Sequence, residues 1–364
     1  FDFISPKELY SRLDKTLNTI ESLPKWRGHL YNWYDTQTGA LLEPRYVSSV
    51  DTGNFLACLI VTAQGVKEYA DKEPMLLDIA ARLEKIYSKT DLKAVYNSQR
   101  ELFALGVVFD EDGNASQTDY VFDMLMSEAR TLSYIAAARR DVPKKHWSTL
   151  SRPLIKNGDR IGIASWTGTA FEYFMPSLFM PTVRGSLLYE ALRFAFRAGR
   201  ERTAVLPDSK RVWGISESGF YAFDEQNNYG YQAFGVPALG YKRGLEKDLV
   251  ISPYSSFLAL TLNLSLPLAN LEKLKTYGAY GEFGFYEAVD FTPSRCTDGK
   301  GNIVKSSMAH HVGMSILAAA NACFDDCMVR RFMSEPVMRS AAELLEEKIP
   351  VDAAICRVKF SRNE

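Results

Sequence analysis

The chain has 364 residues, 46% of them hydrophobic, which is enough for a large packed core and too apolar for a disordered polymer. With 43 Lys and Arg against 44 Asp and Glu, the formal net charge is −1. That balance excludes the pervasive basic field that nucleic acid or an anionic membrane surface would need, and leaves a neutral polymer as the easier partner.

The first predicted element is a helix. Ser5-Pro6-Lys7-Glu8 reads as a capping box with Pro at the first helical position, and Leu13, Leu17, Ile20 and Leu23 follow at helical spacing. Further helical patterns fall near 54–70, 74–88, 119–140, 168–180, 186–201, 254–263, 267–277, 308–323 and 336–348. Long aromatic and glycine-rich connections separate them at 25–53, 205–252 and 278–307, where short strands fit, and loops of that length in a helical domain usually carry function. No flexible linker divides the chain. The expectation is a single, mainly all-α domain over residues 1–364, its helical hairpins set in an α/α toroid, a six-hairpin barrel either complete or incomplete. The chain starts at Phe1, has no leader pattern and no run of 18 apolar residues, and so reads as a soluble piece of something longer.

Cysteine usage points to a reducing compartment, with the cytoplasm as the expected location. Cys58, Cys296, Cys323, Cys327 and Cys356 are odd in number and dispersed, unlike a disulfide framework. Cys323 and Cys327 are four apart with no further Cys or His to complete a zinc set, so no metal and no cofactor are expected.

The chemistry concentrates in a few segments. Trp26 to Thr36 and Tyr46 to Asn54 interleave aromatic rings, which suit sugar faces, with Asn, Asp, Arg and His, which suit hydroxyls; Trp33, Tyr34 and Asp51 are the residues singled out there. The alternative for Asp51 is a helix cap. Glu128 falls on one helical face with Val121, Leu125, Leu132 and Ile135, so it is either held in a structural ion pair, with Arg130 as one partner, or looks into a polar cavity where burial raises its pKa toward general-acid duty. Glu217 sits among small neighbours in Gly214-Ile215-Ser216-Glu217-Ser218-Gly219, which leave it accessible, and the loop runs on to Tyr231. Glu172 and Glu287 are two more acids in aromatic contexts. Glycoside chemistry needs two carboxyl groups flanking one bond, and these residues do not by themselves select the pair. His310 and His311 open an apolar helix; adjacent positions point in different directions, so a chelating pair is not expected, and His310 is taken as a residue for a sugar hydroxyl or a phosphate. Phosphate loops, dinucleotide fingerprints and serine nucleophile elbows are not found.

Eight collinear runs carry a family resemblance: GHLYNWYDT, LEPRYVSSVDTGN, MSEART with DVPKKHW, SWTGTAFEYFMPSL, GISES, FGVPALGYKRGL, GFYEAVDFTPSR and MAHHVGMS. Together, from about Trp26 to Met314, the chain resembles the central, glucoamylase-like domain of cyclic β-1,2-glucan synthases, which is classed with glycoside hydrolase family 189 and related to β-1,2-glucanases. The resemblance implies an α/α-barrel that cleaves linear β-1,2-glucan and re-joins it by transglycosylation, within a longer parent chain that is membrane-associated through other segments. It assigns Glu128 and Glu217 as the catalytic acids, Glu128 as general acid/base and Glu217 as nucleophile or base. Trp33, Tyr34, Asp51, Glu172, Tyr231, Glu287, Arg295 and His310 then line the subsites. The chain departs from the family where the stretch between about Ile60 and Leu102 is short, where Thr167 and Thr169 replace serines, and where Val312 replaces Gln. The competing expectations are a glycoside phosphorylase with a basic pocket around His310 and Arg243, and a non-catalytic glucan-binding module.

Overall fold

The computed structural model describes residues 3–348; Cys356 lies outside them. Among the described residues the chain forms twelve α-helices: α1 (Pro6–Ser22), α2 (Ser49–Lys67), α3 (Leu76–Lys89), α4 (Arg130–Arg139), α5 (Lys145–Thr149), α6 (Ala170–Phe174), α7 (Leu187–Arg202), α8 (Pro253–Leu258), α9 (Ser265–Thr276), α10 (Ala309–Cys323), α11 (Cys327–Ser334) and α12 (Pro336–Arg339). No single one of them is long and apolar enough to cross a membrane. The fold is mainly helical, as the periodicity predicts, with short strands in its long connections.

Local chemistry explains most of the helix starts. Ser5 Oγ accepts the Glu8 N–H at 3.2 Å and Pro6 occupies the first turn of α1. The Glu8 carboxylate pairs with Arg12 instead, so only half of the expected capping box forms. Ser48 caps α2 by accepting from Asp51 N, five residues or so before the start that periodicity suggests. Because Leu56, Ala57, Leu59, Ile60, Val61 and Ala63 are all buried, α2 is apolar nearly all round and lies inside, packed by α3, α4 and α11. One continuous apolar core runs from Leu17 to Leu345.

One predicted helix is substantially different. The pattern over 119–140 yields a strand at Val121–Phe122, an irregular turn, and a helix only from Arg130. Glu128 therefore sits in the turn that feeds α4 and not on a helical face. Arg130 explains the break: buried in α4, it donates to the Leu125 carbonyl and to the Tyr173 carbonyl, each at 3.1 Å, and pins the turn against the next segment. The segment 336–348 is also less regular than expected, since α12 ends at Arg339 and a 3₁₀ turn covers Ala342–Glu346.

The strands build antiparallel sheets at the ends of the helices. Tyr46–Ser48 pairs with Gly106–Phe109, which pairs with Ala115–Gln117. Val250–Ile251, Ala288–Asp290 and Asn302–Val304 form another three-stranded sheet. The longest strand, Glu217–Phe223, makes a hairpin with Tyr229–Ala233 in which Glu217 faces Ala233 and Gly219 faces Tyr231. Glu217 and Tyr231 are thus diagonal neighbours on one face, within reach of each other across a residue with no side chain.

The crossing of α2 and α4 behind this arrangement is close, because a Cβ placed on Gly53 would lie 2.5 Å from Leu132 Cβ. Gly53→Ala should therefore cost roughly 1–3 kcal/mol by overpacking, read from the denaturant midpoint. An unchanged midpoint would show that the two helices part freely.

Candidate active site

The hairpin sets Glu217 between two tyrosines. Its Oε1 accepts the Tyr231 hydroxyl at 3.1 Å, and its backbone carbonyl accepts the Tyr254 hydroxyl at 2.9 Å. Tyr254 also meets Ser216 Oγ at 2.7 Å, so the residues on either side of the Ser216–Glu217 peptide are held to α8. Loss of hydration raises the Glu217 pKa, while the Tyr231 hydrogen bond and nearby His311 work against the rise.

Glu128 is the most perturbed acid. Burial first, then the charges of Glu172 and Glu217, push its pKa up to about 8, against which the Ser127 hydroxyl at 3.2 Å is a small counterweight. At neutral pH Glu128 keeps its proton. Glu172 also raises Glu217, so the three carboxyl groups bear on one volume although they come from three separate parts of the chain. The ion-pair alternative for Glu128 gives way to this arrangement, since Arg130 donates to the Leu125 and Tyr173 carbonyls.

Glu172 lies deeper than a subsite role suggests. It is buried, and its two oxygens accept from Ser165 Oγ, Thr167 N, Thr169 N and Thr169 Oγ1 at 2.8–3.0 Å. Thr169 in return caps α6, completing a capping box, so threonine does there what a serine would do. Glu172 acts on the site through its charge and by fixing the 165–169 loop, whose backbone turns through Gly168 at φ +74.

Glu287 is likewise internal. Its Oε1 accepts from Gly219 N at 3.1 Å and from His311 Nδ1 at 2.9 Å. His311 is held flat by Tyr254, with ring centroids 3.8 Å apart and planes 10° apart, and its Nε2 comes within 3.4 Å of the Tyr231 hydroxyl. His310 Nε2 is 3.2 Å from the same hydroxyl. The expectation that neighbouring histidines point apart is corrected here: both start α10, their side chains bend to the same tyrosine, and their ring centroids are 4.0 Å apart. Partial burial and the proximity of His311 lower the His310 pKa to about 4.

The remaining predicted residues spread over a wider area. Asp51 stands exposed in the first turn of α2; its charge raises the pKa values of Glu217 and His310, which places it on the same cavity. It also lines an adjoining pocket of about 360 Å³ with His29, Tyr31, Asn32 and Phe55. Trp33 is 45% exposed and leans on Tyr46, as a stacking platform should. Tyr34 serves packing, because its hydroxyl donates to Pro24 O and accepts from Tyr31 N, both at 2.8 Å. Arg295 is drawn away from the cavity, paired with Asp290 and Asp248 and lying over the Phe220 ring. Charge pairing has turned a predicted subsite residue into a brace for the strand that carries Glu217.

Sequence reasoning weighed His311 beside His310 but singled out only His310, and it passed over Tyr254 and Ser216. A signal for His311 was present: His311, Met314, Ala318 and Asn321 are buried at helical spacing, so the second histidine is the inward one. Tyr254 and Ser216 had none, since their role depends on contacts between residues 38 apart. A second cavity of about 370 Å³ opens beside His311, walled by Tyr254, Phe257, Tyr280, Tyr286, Glu287 and Val312.

The family model for putative glucoamylases matches residues 122–336. The cyclic β-(1,2)-glucan synthase NdvB of Rhizobium meliloti is 31% identical over an alignment of 479 residues that covers 99% of this chain, whereas the chain spans 17% of that relative's length. A crystal structure of a putative glucoamylase from Bacteroides fragilis superposes with TM-score 0.73 at 17% identity, covering 95% of this chain and 82% of that one. The endo-β-1,2-glucanase of Chitinophaga pinensis, solved with sophorotriose and glucose, gives TM-score 0.73 at 16% identity over 94% of this chain and 82% of that one. At such identities the structures establish a shared fold, and the family match extends over the acids Glu128, Glu172, Glu217 and Glu287: the chain belongs to the putative glucoamylase family.

Proposed function

We propose that this chain cleaves β-1,2-linked glucan and transfers the cleaved chain, by hydrolysis or by transglycosylation to an acceptor that includes the chain's own end. The observation that carries the reading is that a carboxyl with a strongly raised pKa, Glu128, stands close enough to a second one, Glu217, to feel its charge. Glycoside cleavage needs this division of labour, in which one carboxyl donates a proton to the leaving oxygen while the other attacks or activates. The likeness to an endo-β-1,2-glucanase and the 31% identity to a cyclic β-(1,2)-glucan synthase support the choice of linkage. The helices then close as an α/α toroid forming a single domain, with the site at one mouth. Dispersed cysteines free of disulfides, Cys58, Cys296, Cys323 and Cys327, support a cytoplasmic setting.

In this reading Glu128 protonates the glycosidic oxygen, and desolvation is what keeps the proton available at neutral pH. Glu217 takes the opposite side, held by Tyr231 through its side chain and by Tyr254 through its backbone. Trp33, Asp51 and His310 contact the sugar, while Glu172, Glu287 and Arg295 hold the groups that do. The exposed Lys242–Arg243 pair fits a phosphorylase less well, because Lys242 is engaged with the Ala233 carbonyl.

Incubation with linear β-1,2-glucan should release shorter chains, rings or both. No product from it alongside turnover of a β-1,3- or α-1,4-glucan would end the assignment. Glu128→Gln and Glu217→Gln keep the shapes and remove the chemistry, so each should lower kcat by at least about 10²-fold. If either retains wild-type kcat, that carboxyl is not catalytic.

The raised Glu128 pKa also has a stability consequence of definite sign. Its folded value, about 8, exceeds the ordinary 4.5, so the folded chain holds a proton that the unfolded chain gives up, and stability falls as pH rises through that interval. Glu128→Gln cannot ionise. The melting temperature of the variant relative to wild type should therefore climb from pH 4.5 to pH 8, and a difference independent of pH would show that Glu128 is not held protonated.

A further inference from the structure

Three side chains converge on the hydroxyl of Tyr231. Tyr231 Oη lies 3.1 Å from Glu217 Oε1, 3.2 Å from His310 Nε2 and 3.4 Å from His311 Nε2. One ligand atom from each of Glu217, His310 and His311 lies within 4.8 Å of the other two. In tetrahedral zinc sites with bonds of about 2.0–2.2 Å, neighbouring ligand atoms are separated by roughly 3.3–3.6 Å. Three of the six edges are already near that length, and the other three, each within 4.8 Å, shorten by rotation of the His310 ring and of the Glu217 carboxyl group. We propose that Glu217, His310 and His311 form a binding site for a divalent transition-metal ion, Zn²⁺ foremost, with the Tyr231 oxygen at the fourth corner, and that an ion bound there blocks the active site.

The surroundings of His311 fit a ligand. Its Nδ1 faces the buried Glu287 carboxylate at 2.9 Å, and a carboxylate only accepts, so Nδ1 carries a hydrogen and Nε2, turned toward Tyr231, is the nitrogen whose lone pair a metal ion would take in place of a proton. A carboxylate behind a histidine in this way orients metal-bound imidazoles and raises their basicity. The Tyr254 ring stacked on His311 fixes the imidazole plane. The Tyr231 hydroxyl gives its one proton to Glu217 Oε1, so it has none to offer the two histidine Nε2 atoms beside it. Two imidazoles, a carboxylate and a phenol oxygen favour zinc, copper, nickel or cobalt over magnesium or calcium, which prefer all-oxygen shells. Binding the ion does not depend on the glycosidase reading; only the block does, because the ion takes Glu217 out of reaction.

The test is calorimetric titration of chelator-stripped protein with Zn²⁺ in phosphate-free buffer. One ion per chain is expected. His310→Ala should weaken binding at least about tenfold, and Glu287→Gln, which leaves all three ligands in place, by about 10–100-fold. Co²⁺ bound to the wild-type protein should show the ligand-field bands of a tetrahedral site without thiolate charge transfer, which keeps the proposal testable if either variant unfolds. No stoichiometric binding, a thiolate band pointing to Cys323 or Cys327, or unchanged affinity in folded His310→Ala would each overturn it. With glucan as substrate, Zn²⁺ should abolish turnover and excess chelator should restore it. Tight binding with undiminished turnover would refute the block, whereas binding by a protein that never turns over glucan would refute only the proposed function.

Discussion

Burial of one carboxyl group beside two others is the constraint on which the rest of this structure depends. Burial does most to raise the Glu128 pKa, and the charges of Glu172 and Glu217 add to it. The chain resolves the conflict by giving each acid a different environment. Glu172 receives four donors, Glu217 receives a tyrosine hydroxyl, and Glu128 receives little beyond Ser127. The acid with the weakest support keeps its proton, which is what proton donation to a leaving group requires.

Holding that conflict in place takes a rigid frame. Gly53 lets α2 approach Leu132 on α4 closely, and Arg130 ties the turn carrying Glu128 to Tyr173 at the end of α6. From the other side, Arg295 braces the strand of Glu217 through Asp290, whose Oδ2 also accepts from Tyr221 N. Aromatic residues do two different jobs here. Tyr254 and Tyr34 spend their hydroxyls on backbone carbonyls inside, whereas Trp33 leaves its ring half open to whatever the cavity takes.

The histidines at the start of α10 show how one helix turn links packing to chemistry. His311 is buried between Tyr254 and Glu287, and His310 stands outside it, yet both reach the hydroxyl of Tyr231. A substitution at Glu287 would therefore be felt at Glu217 without any direct contact between them, through His311 and Tyr231. Such chains are costly to leave half satisfied, which fits the burial of every member except those that face the opening.

The sequence by itself determined most of the longer helices, α1, α3 and α7 by their apolar stripe and α2, α9 and α10 as apolar stretches between breaks, and it identified the aromatic connections and all four acids. Those properties are local: a cap, a stripe of apolar residues or a glycine-rich loop is legible within about a dozen positions. Tertiary structure alone decided what surrounds each acid. Glu128 left its predicted helix because Arg130 is bound to a carbonyl 43 positions away, and Glu172 turned inward because Ser165 and Thr169 close a loop around it. Arg295 was withdrawn by Asp248 and Asp290, and the two histidines converged on a tyrosine about 80 positions earlier. Burial and charge pairing are sums over neighbours brought together by folding, so no window of sequence contains them.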